Sequence, residues 1–185
     1  MEDKRRESHW YALYTRPRVE KRVASILEEK EIRAFLPTRS VIRQWSDRKK
    51  VVEAPLFPSY VFVFADLAER YRSLQSKGVV RMVQFNGKPA QIPEEQIETI
   101  YRILDGGYDP EPHQYLRKGD EVEIVAGPLT GIKGCFLEGR GNERLIVSVH
   151  ALQQSFAIEL RRDQIKKSGF TKYSCKKYST SYQSI

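Results

Sequence analysis

The chain has 185 residues, 40% hydrophobic and 11% aromatic, and its 32 Lys/Arg against 24 Asp/Glu give a net charge of +8. Such a composition suits a soluble globular protein of one or two small domains, and two cysteines, Cys135 and Cys175, are too few for a disulfide framework or a structural zinc site. No apolar run approaches the about 20 residues of a bilayer span, and residues 1–8 lack the apolar centre of a signal peptide, so the expected location is the cytoplasm.

Charge is unevenly spread. Residues 1–53 hold 14 Lys/Arg against 9 Asp/Glu, whereas residues 54–116 hold 6 against 8. A basic N-terminal third suits contact with a polyanion, nucleic acid first, and suits a solvated face nearly as well.

In chain order, HWYALYT (9–15) predicts a strand, and Pro17 suits the first turn of a helix capped near Thr15 or Arg16. Val19, Val23, Ile26 and Leu27 form one apolar helical stripe, with Arg18 and Arg22 on another flank. RAFLP (33–37) is a short strand, and VIRQW (41–45) with KKVVE (49–53) predicts a hairpin with a basic tip. An unusually apolar strand follows over 57–64. Asp66 is placed to cap a helix whose Leu67, Tyr71 and Leu74 share a face, and Gly78 is placed to end it. VVRMVQF (79–85) predicts a strand closed by Asn86–Gly87, and Pro93, Glu94 and Glu95 open a third helix. Its apolar side is Ile97, Ile100, Ile103 and Leu104.

This order implies an α/β sandwich with an antiparallel-rich sheet and helices on one side. Two Gly and two Pro in residues 105–115 mark a linker. Beyond it, short strands over 121–125, 134–139, 144–150 and 155–160, punctuated by glycine, predict a five-stranded SH3-like barrel. The domains expected are thus an N-terminal tail 1–8, a first domain 9–105, a linker 106–116, a barrel 117–167 and a disordered tail 168–185.

Enzyme chemistry is not supported. His9, His113 and His150 are scattered, with no metal-ligand spacing, and no nucleophile elbow or phosphate-binding glycine loop precedes a helix. No catalytic residue, cofactor or metal is expected. Binding surfaces are better supported. In 57–64 both alternating faces are apolar: Tyr60, Phe62 and Phe64 on one, Val61 and Val63 on the other. Either a third layer covers the aromatic face, or that face docks a partner. The basic set of Arg16, Arg18, Lys21, Arg22, Arg43, Arg48, Lys49, Lys50 and Lys77 is placed to contact phosphates.

HWYALYTRPRVEKRVASIL (9–27), PLFPSYVFV (55–63) and GVVRMVQFNGKPAQIP (78–93) resemble the N-terminal domain of the NusG-type transcription factors. KGDEVEIVAGPLTGIKGCF (118–136) resembles the KOW barrel that follows it in that family. The spelling EAPLFPSYVFV is closer to specialised RfaH-like paralogues. The resemblance implies a ferredoxin-like N-terminal domain plus a KOW barrel, acting as an elongation and antitermination factor on RNA polymerase. It further implies a monomer, with processive transcription of long operons such as surface or capsular polysaccharide clusters. By motif position, the residues facing the polymerase clamp helices are Tyr14, Phe57, Tyr60, Phe62, Phe85, Ile97 and Ile100. Those for non-template DNA or a leader element are Arg16, Arg22, Ser76 and Lys77. The barrel's implied partner is a ribosomal protein or a termination factor. Glu69, Arg70 and Tyr71 replace the specialised paralogue's histidine-threonine motif, and Ala54 replaces the glutamate that pins its second domain. With alternating β patterns over 117–167, a constitutive barrel is expected. A general elongation factor of the same fold and a ribosome-associated KOW RNA-binding protein remain the alternatives.

Overall fold

A computed structural model describes residues 7–45, 48–113, 120–137, 143–160 and 165–167; the expected tail 168–185, Cys175 and most of the expected tail 1–8 lie outside the described residues. The first part of the chain runs β1 (His9–Thr15), α1 (Glu20–Glu29), β2 (Arg33–Phe35), β3 (Thr38–Gln44), β4 (Lys49–Pro55), β5 (Tyr60–Ala65), α2 (Leu67–Leu74) and β6 (Val79–Met82). A short hairpin β7 (Gln84–Phe85) and β8 (Lys88–Pro89) and then α3 (Glu94–Asp105) complete it. Strands β2-β5-β1-β6 form one antiparallel sheet, while β3 and β4 pair only with each other. This is the βαββαβ ferredoxin-like order, with the β3–β4 ribbon inserted between the second and third sheet strands.

Alternation along the central strands decides what each face carries. Trp10 pairs with Phe64, Ala12 with Phe62 and Tyr14 with Tyr60, so these six side chains share a face. Tyr11 opposite Val63 and Leu13 opposite Val61 occupy the other, packing with Val23 and Leu27 of α1. Full burial of such side chains contributes about 1.5–3 kcal/mol each.

Two expectations are corrected. First, the helices do not all lie on one side: the stripe Ile97, Ile100 and Ile103 places α3 on the aromatic face, in one cluster with Trp10, Phe35 and Phe62. The bridge Trp10–Ile92 carries the chain there. Second, α1 begins at Glu20 with Val19 as its N-cap, because Arg18 turns the chain at φ 66° and leaves Pro17 outside the helix. The stripe expected on α2 is present and faces outward: Leu67, Tyr71 and Leu74 are all exposed, and the buried residue of this helix is Ser73. Period alone reports a stripe but not which way it faces, and small Ser73 lets this helix lie against β5 and β6. The cap of α2 is as expected: Asp66 accepts from the Glu69 N–H at 2.8 Å, and the Glu69 carboxylate accepts from the Asp66 N–H at 2.9 Å.

The second part comprises β9 (Glu111–His113), β10 (Asp120–Ile124), β11 (Lys133–Leu137), β12 (Glu143–Val149), a 3-10 turn at His150–Leu152, β13 (Gln154–Leu160) and β14 (Ile165–Lys167). Their order is β14-β10-β11-β12-β13-β9. Five of these strands make the expected barrel. The sixth, β9, comes from the segment read as linker and lies along β13. Gly127 and Gly131 both sit near φ 87°, where a side chain would be strained, and Thr130 closes the turn by donating to the Gly127 carbonyl. At Gly134 the limit is space, since an added Cβ would meet the Ile146 carbonyl oxygen at 2.7 Å.

Candidate partner-docking face and nucleic-acid turn

Barrel and N-terminal domain are in contact, and what they share is the aromatic face. Ile124, Leu129, Ile132, Leu145, Val147 and Phe156 of the barrel belong to the same buried cluster as Trp10, Phe57, Phe62, Ile97 and Ile100. Phe57 meets Phe156 edge to face at 5.9 Å between centroids. Arg102 on α3 adds a polar clasp by donating to the carbonyls of Pro128 at 3.0 Å and Thr130 at 2.8 Å. These carbonyls flank the glycine turn of the barrel, so one guanidinium reads its backbone shape.

The structure divides the sequence-derived docking set in two. Phe57, Phe62, Ile97 and Ile100 are fully buried, between the sheet, α3 and the barrel. Tyr14 and Tyr60 are half-buried at the margin, and Phe85 is exposed on the β7–β8 hairpin. Tyr14 and Tyr60 form an edge-on pair at 5.5 Å, and the Arg81 guanidinium lies 5.3 Å from the Tyr14 ring. Burial pushes the Tyr60 phenol above its usual pKa, with nearby Arg81 opposing the shift. Burial likewise raises that of Tyr101, whose ring stacks on Phe35 at 3.8 Å. Arg33 lies over both Trp10 and Phe64.

Of the basic set, Arg16 and Lys77 converge: the Arg16 N–H donates to the Gly78 carbonyl at 2.9 Å, beside Lys77. Gly78 sits at φ 101°, and a Cβ there would come within 2.9 Å of Val23, which packs this turn against α1 one residue from Arg22. Arg16, Arg22 and Lys77 are exposed. Ser76 is not. Its hydroxyl accepts from the Lys30 ammonium at 2.8 Å and donates to the Arg72 carbonyl at 3.4 Å, so it braces the turn from within.

Sequence reasoning missed several participants. Glu20 is buried and accepts from the Ser59 N–H at 2.8 Å, pinning a residue at φ 67° just before β5. Its only signal was an acid at the start of a helix. Arg102 and Arg81 gave no local signal, because their partners are a distant backbone and a cross-strand ring. Among the described residues, no group of three or more His, Cys, Asp or Glu is placed to hold a metal ion. Among them too, no helix is long and apolar enough to cross a membrane.

Comparison with known proteins agrees with this architecture. The family model described as "Transcription termination factor nusG" matches residues 8–101. The chain is 26% identical to the transcription termination/antitermination protein NusG of Thermus thermophilus, over 86% of this chain and 98% of that protein. It is 28% identical to the protein of the same name from Helicobacter pylori, over 85% and 97% of the two chains. The solved structure described as "Domain interaction in Thermotoga maritima NusG" superposes with a TM-score of 0.56 at 20% identity, covering 87% of this chain and 97% of the other, a likeness of fold. The chain belongs to the NusG family, which comprises transcription factors rather than enzymes.

Proposed function

We propose that this NusG-type factor promotes processive transcription by docking the aromatic side of its N-terminal sheet onto the clamp helices of RNA polymerase. One observation supports this above the others. The ring-bearing face shares one buried cluster with side chains of the β10–β13 strands, and Phe57 meets Phe156 there, so in this reading those strands are the cover that a competing partner displaces. Docking then begins at Tyr14, Tyr60 and Phe85 on the margin. It extends to Phe57, Phe62, Ile97 and Ile100 as the barrel moves away. Arg16 and Lys77, at the turn braced by Ser76, and Arg22 on the adjoining α1 hold the displaced non-template strand. Released, the barrel recruits a ribosomal protein or a termination factor.

The spelling EAPLFPSYVFV favours a specialist serving one or a few long operons through a leader element. The names of the relatives and the β-structure of the second domain favour a general factor. Genome-wide occupancy distinguishes them, by a few peaks or by peaks on most transcribed genes. The docking assignment is tested by co-purifying Tyr60→Ala and Tyr14→Ala with core polymerase, thermal melting being recorded alongside. Binding falls at least about tenfold, equal to about 1.4 kcal/mol, in proteins that still melt cooperatively. A folded variant that co-purifies as wild type removes the assignment.

A further inference from the structure

The ring-bearing face of the sheet also carries a guanidinium at each edge. Arg33 on β2 stands opposite Phe64 and Arg81 on β6 opposite Tyr14, so both side chains share the ring face. The order β2-β5-β1-β6 puts them on its two outermost strands. Each is laid on rings. Arg33 lies 5.2 Å from the Trp10 ring centre and 5.5 Å from that of Phe64, and Arg81 lies 5.3 Å from that of Tyr14. Both arginines are exposed, although barrel side chains share the cluster of buried rings between them. Among the described residues neither makes an ion pair, whereas Arg72 meets Glu69 and Arg144 meets Glu111 and Glu159.

Stacking engages the flat face of a guanidinium and leaves its N–H donors at the rim, in the fork that matches a carboxylate. A ring beneath it also restrains the side chain, which lowers the ordering cost of that contact. Across three strand spacings, and from the Trp10 row to the Tyr14 row, the two backbones are about 20 Å apart. That is the length of about 13 residues of α-helix, so a helical partner spans both.

We infer that Arg33 and Arg81 are specificity-determining contacts of polymerase docking, each taking a carboxylate from the clamp helices. The inference rests on the docking proposed above and names what lets the larger partner win. Burying the rings is open to barrel and polymerase alike. A ligand shifts such a balance only by what it binds and its competitor does not. The described barrel residues bring no carboxylate to either arginine, so an acid on the partner counts wholly toward displacement.

The test is fluorescence anisotropy of the full-length factor, carrying an N-terminal dye, titrated with core polymerase at about 50 and 200 mM salt. Arg33→Gln/Arg81→Gln lowers affinity about 25-fold at the lower salt, about fivefold per arginine. The loss shrinks at the higher salt, where the charges are screened, and the variant melts as wild type. Arg72→Gln/Lys133→Gln removes as much charge elsewhere and binds as wild type. Wild-type affinity in the folded Arg33→Gln/Arg81→Gln variant overturns the inference. So does an equal loss in the charge control, or a loss that is the same at both salts and so marks ring packing alone. Tyr60→Ala, titrated in parallel, separates the two readings. Weak binding there beside full binding of the arginine variant sinks only the carboxylate contacts, and full binding of both sinks the docking as well.

Discussion

The two faces of the β2-β5-β1-β6 sheet are built from alternate residues of the same strands and have opposite characters. Tyr11, Leu13, Val61, Val63 and Met82 face α1, which is joined to β1 by four residues and forms with it a mainly aliphatic core. Trp10, Ala12, Phe62 and Phe64 face α3 and the barrel strands, all of which arrive later in the chain. Aliphatic side chains close to in-domain partners make a permanent core. Rings covered by later-arriving elements are, in the function proposed above, the surface that changes partners. Period-two alternation is therefore enough to put two different interiors, one aliphatic and one ring-rich, on a single strand.

Substitutions on either side sharpen this contrast. The largest effect is expected from Leu27→Ala on the permanent side, where a buried leucine is lost: stability falls by about 2–5 kcal/mol in urea denaturation. Equal loss from truncating a margin ring such as Tyr14 would erase the distinction. Glu20→Ala comes next. It strands the part-buried Ser59 N–H just before β5, at a cost of about 1 kcal/mol, read from the same titration. Asp66→Ala removes the α2 capping box for about 1 kcal/mol and raises amide exchange in the first turn of α2 alone. The smallest effect belongs to Arg102→Ala, which breaks only the clasp on the barrel carbonyls. At up to about 1 kcal/mol it favours the undocked barrel and raises polymerase affinity by up to about fivefold, with the melting of the first domain unchanged.

Much of this was legible before any coordinates. The β1 span, the Asp66 cap and the glycine-punctuated barrel strands rest on local chemistry, and local chemistry is what sequence reports. The outward stripe of α2 was not legible, because helical period carries no sign. Nor was the position of α3, since nothing in Ile97, Ile100 and Ile103 says which sheet face they meet. The site was half legible. Ring-rich strands marked the candidate docking face, yet Phe57, Phe62, Ile97 and Ile100 lie buried within it and Tyr14, Tyr60 and Phe85 at or beyond its margin. That division depends on the barrel, a contact over long sequence separation carried by Phe156 and by Arg102, whose partners are backbone carbonyls. Ser76 was named for nucleic acid by motif position alone, and its burial and the bond from Lys30 show it turned inward.

The central claim is that polymerase and barrel compete for one face. Donor and acceptor dyes at Glu98 on α3 and Lys133 on β11, in a chain carrying Cys135→Ser and Cys175→Ser, report their separation by energy transfer. Transfer is high in the free protein and drops when saturating core polymerase is added, with Tyr60→Ala blocking the drop. Polymerase that binds while transfer stays high would contradict the account.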